Sequence, residues 1–270
     1  MGLLDRPVYT IRRNTASIIS LIGGIGYLLG DTLVATGPAL LRKRGRRLSW
    51  QNLWDQMDRV GNRSIPIVSL VTFCIGAILA LQMAPILRGY GMVAKVADII
   101  SIAIFRELGP LMAAIVLSGF GGASIAAEMG TAVVSEEIEA LEAHAIHPIR
   151  FLVVPRVVAT TIMLICVSVV GDLMGVAGGL VIGHSFLGLG TTLYIHHTIS
   201  ALRLRDFLTG LLKAGVFGVI ISSLACYLGL GVTGGAQGVG RATTRTVVYT
   251  IVSLIAVDLM FNAVFYIFGL

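Results

Sequence analysis

Residues 64–87 read SIPIVSLVTFCIGAILALQMAPIL, 24 positions without a charge. About 20 apolar residues in a helix cross the roughly 30 Å hydrocarbon core of a bilayer, so this run alone is long enough to span one. Ser64 stands where an N-cap is expected and Pro66 falls in the first turn, which predicts a span at Ile65–Ile86. The whole chain agrees with that reading: of 270 residues, 56% are hydrophobic and 13% charged, with a mean hydropathy of +0.91. Soluble domains carry about 25% charged residues, so a water-exposed globular surface and a disordered chain are both excluded. Cys74, Cys166 and Cys226 lie far apart in apolar runs and do not form a disulfide framework.

The same count of uncharged residues predicts four further spans, at about Ile99–Ala127, Leu152–Val176, Phe207–Leu230 and Val247–Phe268. The expected fold is therefore an all-α integral membrane protein. Residues 64–270 form a five-span unit, preceded by a cytoplasmic and interfacial segment, residues 1–63. Within that segment Ile11–Leu41 is expected to lie along the inner leaflet, because making it a span would put Arg12 and Arg13 across the membrane from Arg42–Arg47. Gly183–Leu202 is expected to be an outer loop holding a short re-entrant or surface helix.

The net charge of +6 resides wholly in residues 1–64, where ten Lys/Arg face Asp5, Asp31, Asp55 and Asp58. Beside apolar spans such a cluster reads as a cytoplasmic anchor on anionic lipid. No aromatic residues interleave it, so nucleic acid is not expected as a partner. With the N-terminus inside, fourteen Lys/Arg fall on the inner side and four (Arg88, Lys95, Arg203, Arg205) on the outer side, which sets the orientation by the positive-inside rule.

Two groups of residues stand out against this background. The first is a polar stretch at about 134–148, between the second and third spans. Ser135 is expected to cap a short helix with Glu136 and Glu137 in its first turn, and Pro148 to stop it. Ile138, Leu141, Ala145 and Ile146 recur along one side, while Glu139 and Glu142 keep the rest acidic; such an amphipathic element suits docking to a cytoplasmic motor domain. The second group is ionisable. At about 1.5 Å per residue, Glu107, Lys213 and Asp258 fall in one layer in the outer half of the membrane, where buried charge is costly and points to function. Gln82 is placed at the same level, and Arg106 is expected to reach the outer headgroups or pair locally. Pro110 cannot donate to the carbonyl of Arg106, so a distortion beside Glu107 is expected.

No GxxxxGK[ST] phosphate loop, HExxH, CxxC or GxSxG occurs. The chain is thus expected to have no catalytic centre, no metal site and no cofactor of its own. An isolated carrier using Glu107, Lys213 and Asp258 as an ion relay is one reading of the charge layer.

Two longer motifs favour another. At Arg106–Glu107–Leu108–Gly109–Pro110 and Gly240–Arg241–Ala242–Thr243–Thr244–Arg245–Thr246–Val247–Val248 the sequence resembles the MlaE/YrbE family, the permease subunits of ABC-type lipid transporters that work with MCE proteins. The likeness includes Ala127–Glu128–Met129–Gly130, His147–Pro148 and Asp258, and covers about residues 50–268. It implies a non-catalytic homodimer bound to two cytoplasmic ATPase subunits, which hold the ATP and magnesium, with an MCE-domain protein outside. The cargo would be phospholipid or a similar lipid, and the location a bacterial inner membrane or an organelle's inner envelope. The resemblance makes Ser135–Pro148 the coupling helix and Glu107, Lys213 and Asp258 recurrent membrane charges. It leaves Arg241, Thr243, Thr244 and Arg245 in an inner loop, facing either headgroups or the ATPase.

Overall fold

The computed structural model describes residues 50–269 together with Gly23, Gly24, Gly26 and Gly30, each of them helical. The predicted interfacial segment Ile11–Leu41 otherwise lies outside the described residues. Among the described residues the fold is entirely helical. A short helix α1 (Trp50–Val60) turns through Asn62–Ser64 into the first span, α2 (Ile65–Gly89). Ser64 does precede the helix, but its hydroxyl donates backwards to Gly61 O at 2.7 Å rather than capping forwards.

The second span is a composite. α3 (Lys95–Ala103) and α4 (Gly109–Leu117) are joined by a π-helical turn at Ile104–Leu108, and a second π turn at Ser118–Gly122 leads into α5 (Ala123–Val134). The distortion expected from Pro110 takes this form: Gly109 N–H bonds to Ile104 O, five residues back, and Pro110 contributes no amide to the next bond. The Phe105 carbonyl abuts Gly210, where a Cβ would come within 2.1 Å of its oxygen. Only a glycine admits that approach.

A cytoplasmic helix α6 (Glu137–Ala143) follows, then a π turn at Ile149–Val153 and the third span, α7 (Val154–Ser185). α7 runs nine residues beyond the expected end at Val176. Gly178 sits where any Cβ would lie 2.0 Å from Phe73 O, and Gly76 similarly meets Gly175 O at 1.8 Å. These glycines bring α2 and α7 into backbone contact, the small-residue packing that membrane helices use in place of a hydrophobic drive.

Within the expected outer segment Gly183–Leu202 a short helix forms, α8 (Thr191–Ala201). Its Tyr194 is buried against Gly179 and Gly183, and burial pushes the phenol up to about 12. His197 Nδ1 lies 2.9 Å from Asp98 Oδ1. The last two spans are α9 (Leu204–Leu230) and α10 (Gly235–Phe268). With 34 residues, α10 is about 51 Å long at 1.5 Å per residue, well over the membrane thickness. The 240–246 motif therefore belongs to the inner turns of α10, which corrects the expected loop.

Leu117, Ile125, Met129, Leu164, Phe217, Ile221 and Leu254 form the main core between α4, α5, α7, α9 and α10. The opposite faces stay apolar and outward, as at Leu70, Leu173, Val252 and Leu259; among the described residues five helices are long and apolar enough to cross a membrane.

Candidate functional site

Lys213 on α9 is fully buried. The π turn carries Glu107 to it, with Nζ 2.5 Å from Glu107 Oε2. From α10, Asn262 accepts a second hydrogen bond through Oδ1 at 2.9 Å. Asp258 Oδ1 lies 2.9 Å from Nζ as an ion-pair contact, off the hydrogen-bonding direction. Asn262 Nδ2 donates to Glu107 Oε1 at 2.8 Å, closing a ring, and the Phe265 ring centroid lies 5.9 Å from the ammonium. The ammonium thus makes two hydrogen bonds and one further ion-pair contact with three surrounding oxygens, the kind of pairing that a charge held away from water requires. Side-chain exposure is 29% for Glu107 and 8% for Asp258, so the cluster opens on the Glu107 side. With both carboxylates ionised it carries a formal charge of −1.

Not every expected member joins. Gln82 lies on an exposed face of α2, a helix that packs on α3, α4 and α7 rather than on α9 or α10. Level in the membrane placed it near the cluster, and helix rotation turns it away. Arg106 points to the neighbouring wall, with Nη1 3.5 Å from Asp206 Oδ1, a local pairing rather than a contact with Lys213.

The cytoplasmic segment also differs in detail. Ser135 closes α5, its hydroxyl bonding to Thr131 O at 2.9 Å, and Glu136 precedes α6 in a left-handed conformation, φ 60°. The helix ends at Ala143, and Pro148 instead opens the following π turn. No residue of α6 is buried: Glu137, Glu139 and Glu142 are exposed and Leu141 only half-buried. A cavity of about 450 Å³ beneath it is lined by Ile138, Glu142, Ile146, His147, Pro148 and Leu230.

Two inner features complete the map. A cavity of about 750 Å³ is walled by Gly24, Tyr227, Leu230 and Val232, with Arg241 and Arg245 one helical turn apart on its edge. Thr243 and Thr244 hydroxyls bond to Gly240 O and do not reach it. Nearby, Glu128 of α5 accepts from Arg156 Nη2 at 3.0 Å and from Arg59 Nη1 at 3.2 Å.

Sequence reasoning passed over Asn262, Glu128 and Asp172. Asn262 carried a signal, being four residues beyond Asp258 and so on the same helix face. Glu128 stood in a quoted motif without a partner. Asp172, buried on α7, has Oδ1 without a hydrogen-bond partner and lies against Gly109, where a Cβ would be 1.6 Å away. Among the described residues no group of His, Cys, Asp or Glu is arranged to hold a metal.

The model of the family described as permease MlaE matches residues 53–264. The chain belongs to the MlaE permease family. A probable ABC transporter permease protein of Rickettsia felis is 39% identical over 211 residues, 78% of this chain and 82% of the relative. One of Synechocystis is 36% identical over 219 residues, 81% and 83% of the two chains. The protein trigalactosyldiacylglycerol 1, chloroplastic, of Arabidopsis thaliana is 30% identical over 233 residues, 86% of this chain and 67% of that one. This MlaE permease is accordingly a multi-pass, non-catalytic component of an ABC transporter, and positions 107, 213, 258 and 262 all lie within the matched range.

Proposed function

We propose that this permease forms, as a homodimer, the membrane path by which phospholipid or a similar lipid passes between the inner membrane and an extracytoplasmic MCE-domain carrier, driven by two separate ATPase subunits. The observation that carries this reading is the buried Lys213 ammonium, held by Glu107, Asp258 and Asn262 and open on the Glu107 side. A fixed cation at the edge of an apolar wall suits a lipid phosphate, which can exchange for a carboxylate at the same ammonium. The kinship with a chloroplast protein named for a galactolipid supports a lipid cargo.

Arg241 and Arg245, over an otherwise largely apolar cavity, suit a headgroup in the inner leaflet and give the path a second end. The exposed acidic helix α6, with the cavity behind it, suits a groove in the ATPase; Glu139 and Glu142 are both exposed, and Glu142 borders the cavity.

The test is to purify the complex from cells expressing the chain with its ATPase and MCE partners, and to identify retained lipid by mass spectrometry. Stoichiometric phospholipid that is lost in Lys213→Met supports the reading. A complex that carries none, or carries equal amounts in both forms, contradicts it.

A further inference from the structure

Glu128 is the carboxylate that joins three elements at the inner end of the bundle. It lies on α5, six residues before that helix ends at Val134. Arg156, its 3.0 Å partner, lies eight residues after Pro148 on α7, and also donates from Nη1 to Leu152 O at 2.8 Å, inside the π turn Ile149–Val153. Arg59, its 3.2 Å partner, comes from α1. The arms entering and leaving the 135–148 segment are therefore tied at their base, and the same carboxylate ties them to the helix that leads into the first span.

The segment above this tie bends sharply at both ends and has little packing of its own. Glu136 and Ala145 fix left-handed bends at its two ends, φ 60° and 58°, and α6 buries no residue. The π turn beneath is a place where helix register can give way. A push on α6 would be absorbed there unless the two arms were joined, and the Glu128–Arg156 bond is the polar cross-link between them among the described residues. The site is not sealed: Glu128 is 26% exposed and Arg156 12%, beside a cavity of about 200 Å³ lined also by Asp55, Gln56 and Phe151. Arg156 Nε has no hydrogen-bond partner, which leaves Glu128 and the Leu152 carbonyl to orient the guanidinium.

We propose that Glu128 is a positioning residue for coupling: by holding Arg156 and Arg59 together it makes the 135–148 segment a rigid lever, so that displacement of α6 reaches α1, α5 and α7 as one movement. This rests on the reading of α6 as the ATPase contact. The expected cost of breaking the tie is in the transmission of work rather than in assembly or hydrolysis.

The experiment uses the full transporter in proteoliposomes and measures lipid moved per ATP hydrolysed, with ATPase co-purification and Tm recorded in parallel. Glu128→Gln is expected to keep the ATPase bound and Tm near wild type while lipid moved per ATP falls about tenfold, the scale of one charge-assisted hydrogen bond. Arg156→Met is expected to behave alike, and the double variant to be no worse than either single one, because all three remove the same bond. An unchanged ratio in Glu128→Gln, a fall that merely follows Tm, or additive losses in the double variant would overturn the proposal. Glu139→Lys with Glu142→Lys separates the two readings. If that pair leaves the ATPase bound and coupled, the α6 reading fails and the lever with it. If it releases the ATPase while Glu128→Gln stays fully coupled, only the role of Glu128 fails.

Discussion

Lys213 and Arg156 are both cations drawn against membrane helices, and each meets a carboxylate from the second span, yet their settings are opposite. Lys213 is fully buried, with two hydrogen bonds and a third oxygen in ion-pair contact, and its partners come from α10 and from a π turn placed by Pro110. Arg156 shares one carboxylate with Arg59, which is 55% exposed, next to a cavity of about 200 Å³. The first arrangement holds a cation out of reach of water between two carboxylates, so removing the ammonium leaves both without a counter-charge. The second is partly open to solvent, so breaking it should cost little stability while loosening the segment it braces.

The largest expected effect tests the enclosed cluster. Lys213→Met should cost about 3–5 kcal/mol, because it leaves buried Asp258 and half-buried Glu107 without a counter-charge; the Tm of the purified chain reads this. Adding Glu107→Gln and Asp258→Asn should restore most of the loss, and a single variant as stable as wild type would show that the cluster is not held by pairing. Next in size is the asymmetry between the carboxylates. Glu107→Gln should cost about 2 kcal/mol, since Glu107 accepts from both Lys213 and Asn262. Asp258→Asn should cost under about 1 kcal/mol, because it brings the cluster to neutrality and keeps an oxygen beside Nζ. Equal losses would contradict the geometry.

Smaller effects probe the other side of the contrast. Arg59→Ala should change stability by less than about 1 kcal/mol, as for exposed ion pairs. Raising the salt from about 0.1 M to 1 M shortens the screening length from about 10 Å to 3 Å, so the difference between Arg59→Ala and wild type should vanish while that of Lys213→Met persists. Gln82→Ala, on the outward face of α2, should leave both Tm and lipid retention unchanged.

Which residues could be read from the sequence follows from what a linear count measures. Charge in an apolar run is conspicuous, and depth follows from distance to the span ends, so Glu107, Lys213 and Asp258 could be brought to one layer before any coordinates. Depth carries no information about rotation around the helix axis, which is why Gln82 was grouped with them and faces away. Asn262 is neutral and escaped a search for charge. The span ends were less legible. Gly178, Gly179 and Gly183 look like punctuation, but in α7 they fill contacts with Phe73 and Tyr194, and the helix continues through them to Ser185. The glycines at 235–240 likewise concealed the long inner end of α10. Ser135 and Pro148 carry the right chemistry for a cap and a stop, yet each serves the neighbouring helix.

The most direct measurement is lipid transfer between bilayer and MCE carrier by the reconstituted transporter containing the neutral triple variant Glu107→Gln, Lys213→Met, Asp258→Asn. The expected result is a folded complex that binds its ATPase and hydrolyses ATP, but moves lipid at least about tenfold more slowly, the loss of one charge-assisted contact to phosphate. Transfer at the wild-type rate by that folded complex would contradict the assignment of the buried Lys213 site to the lipid path.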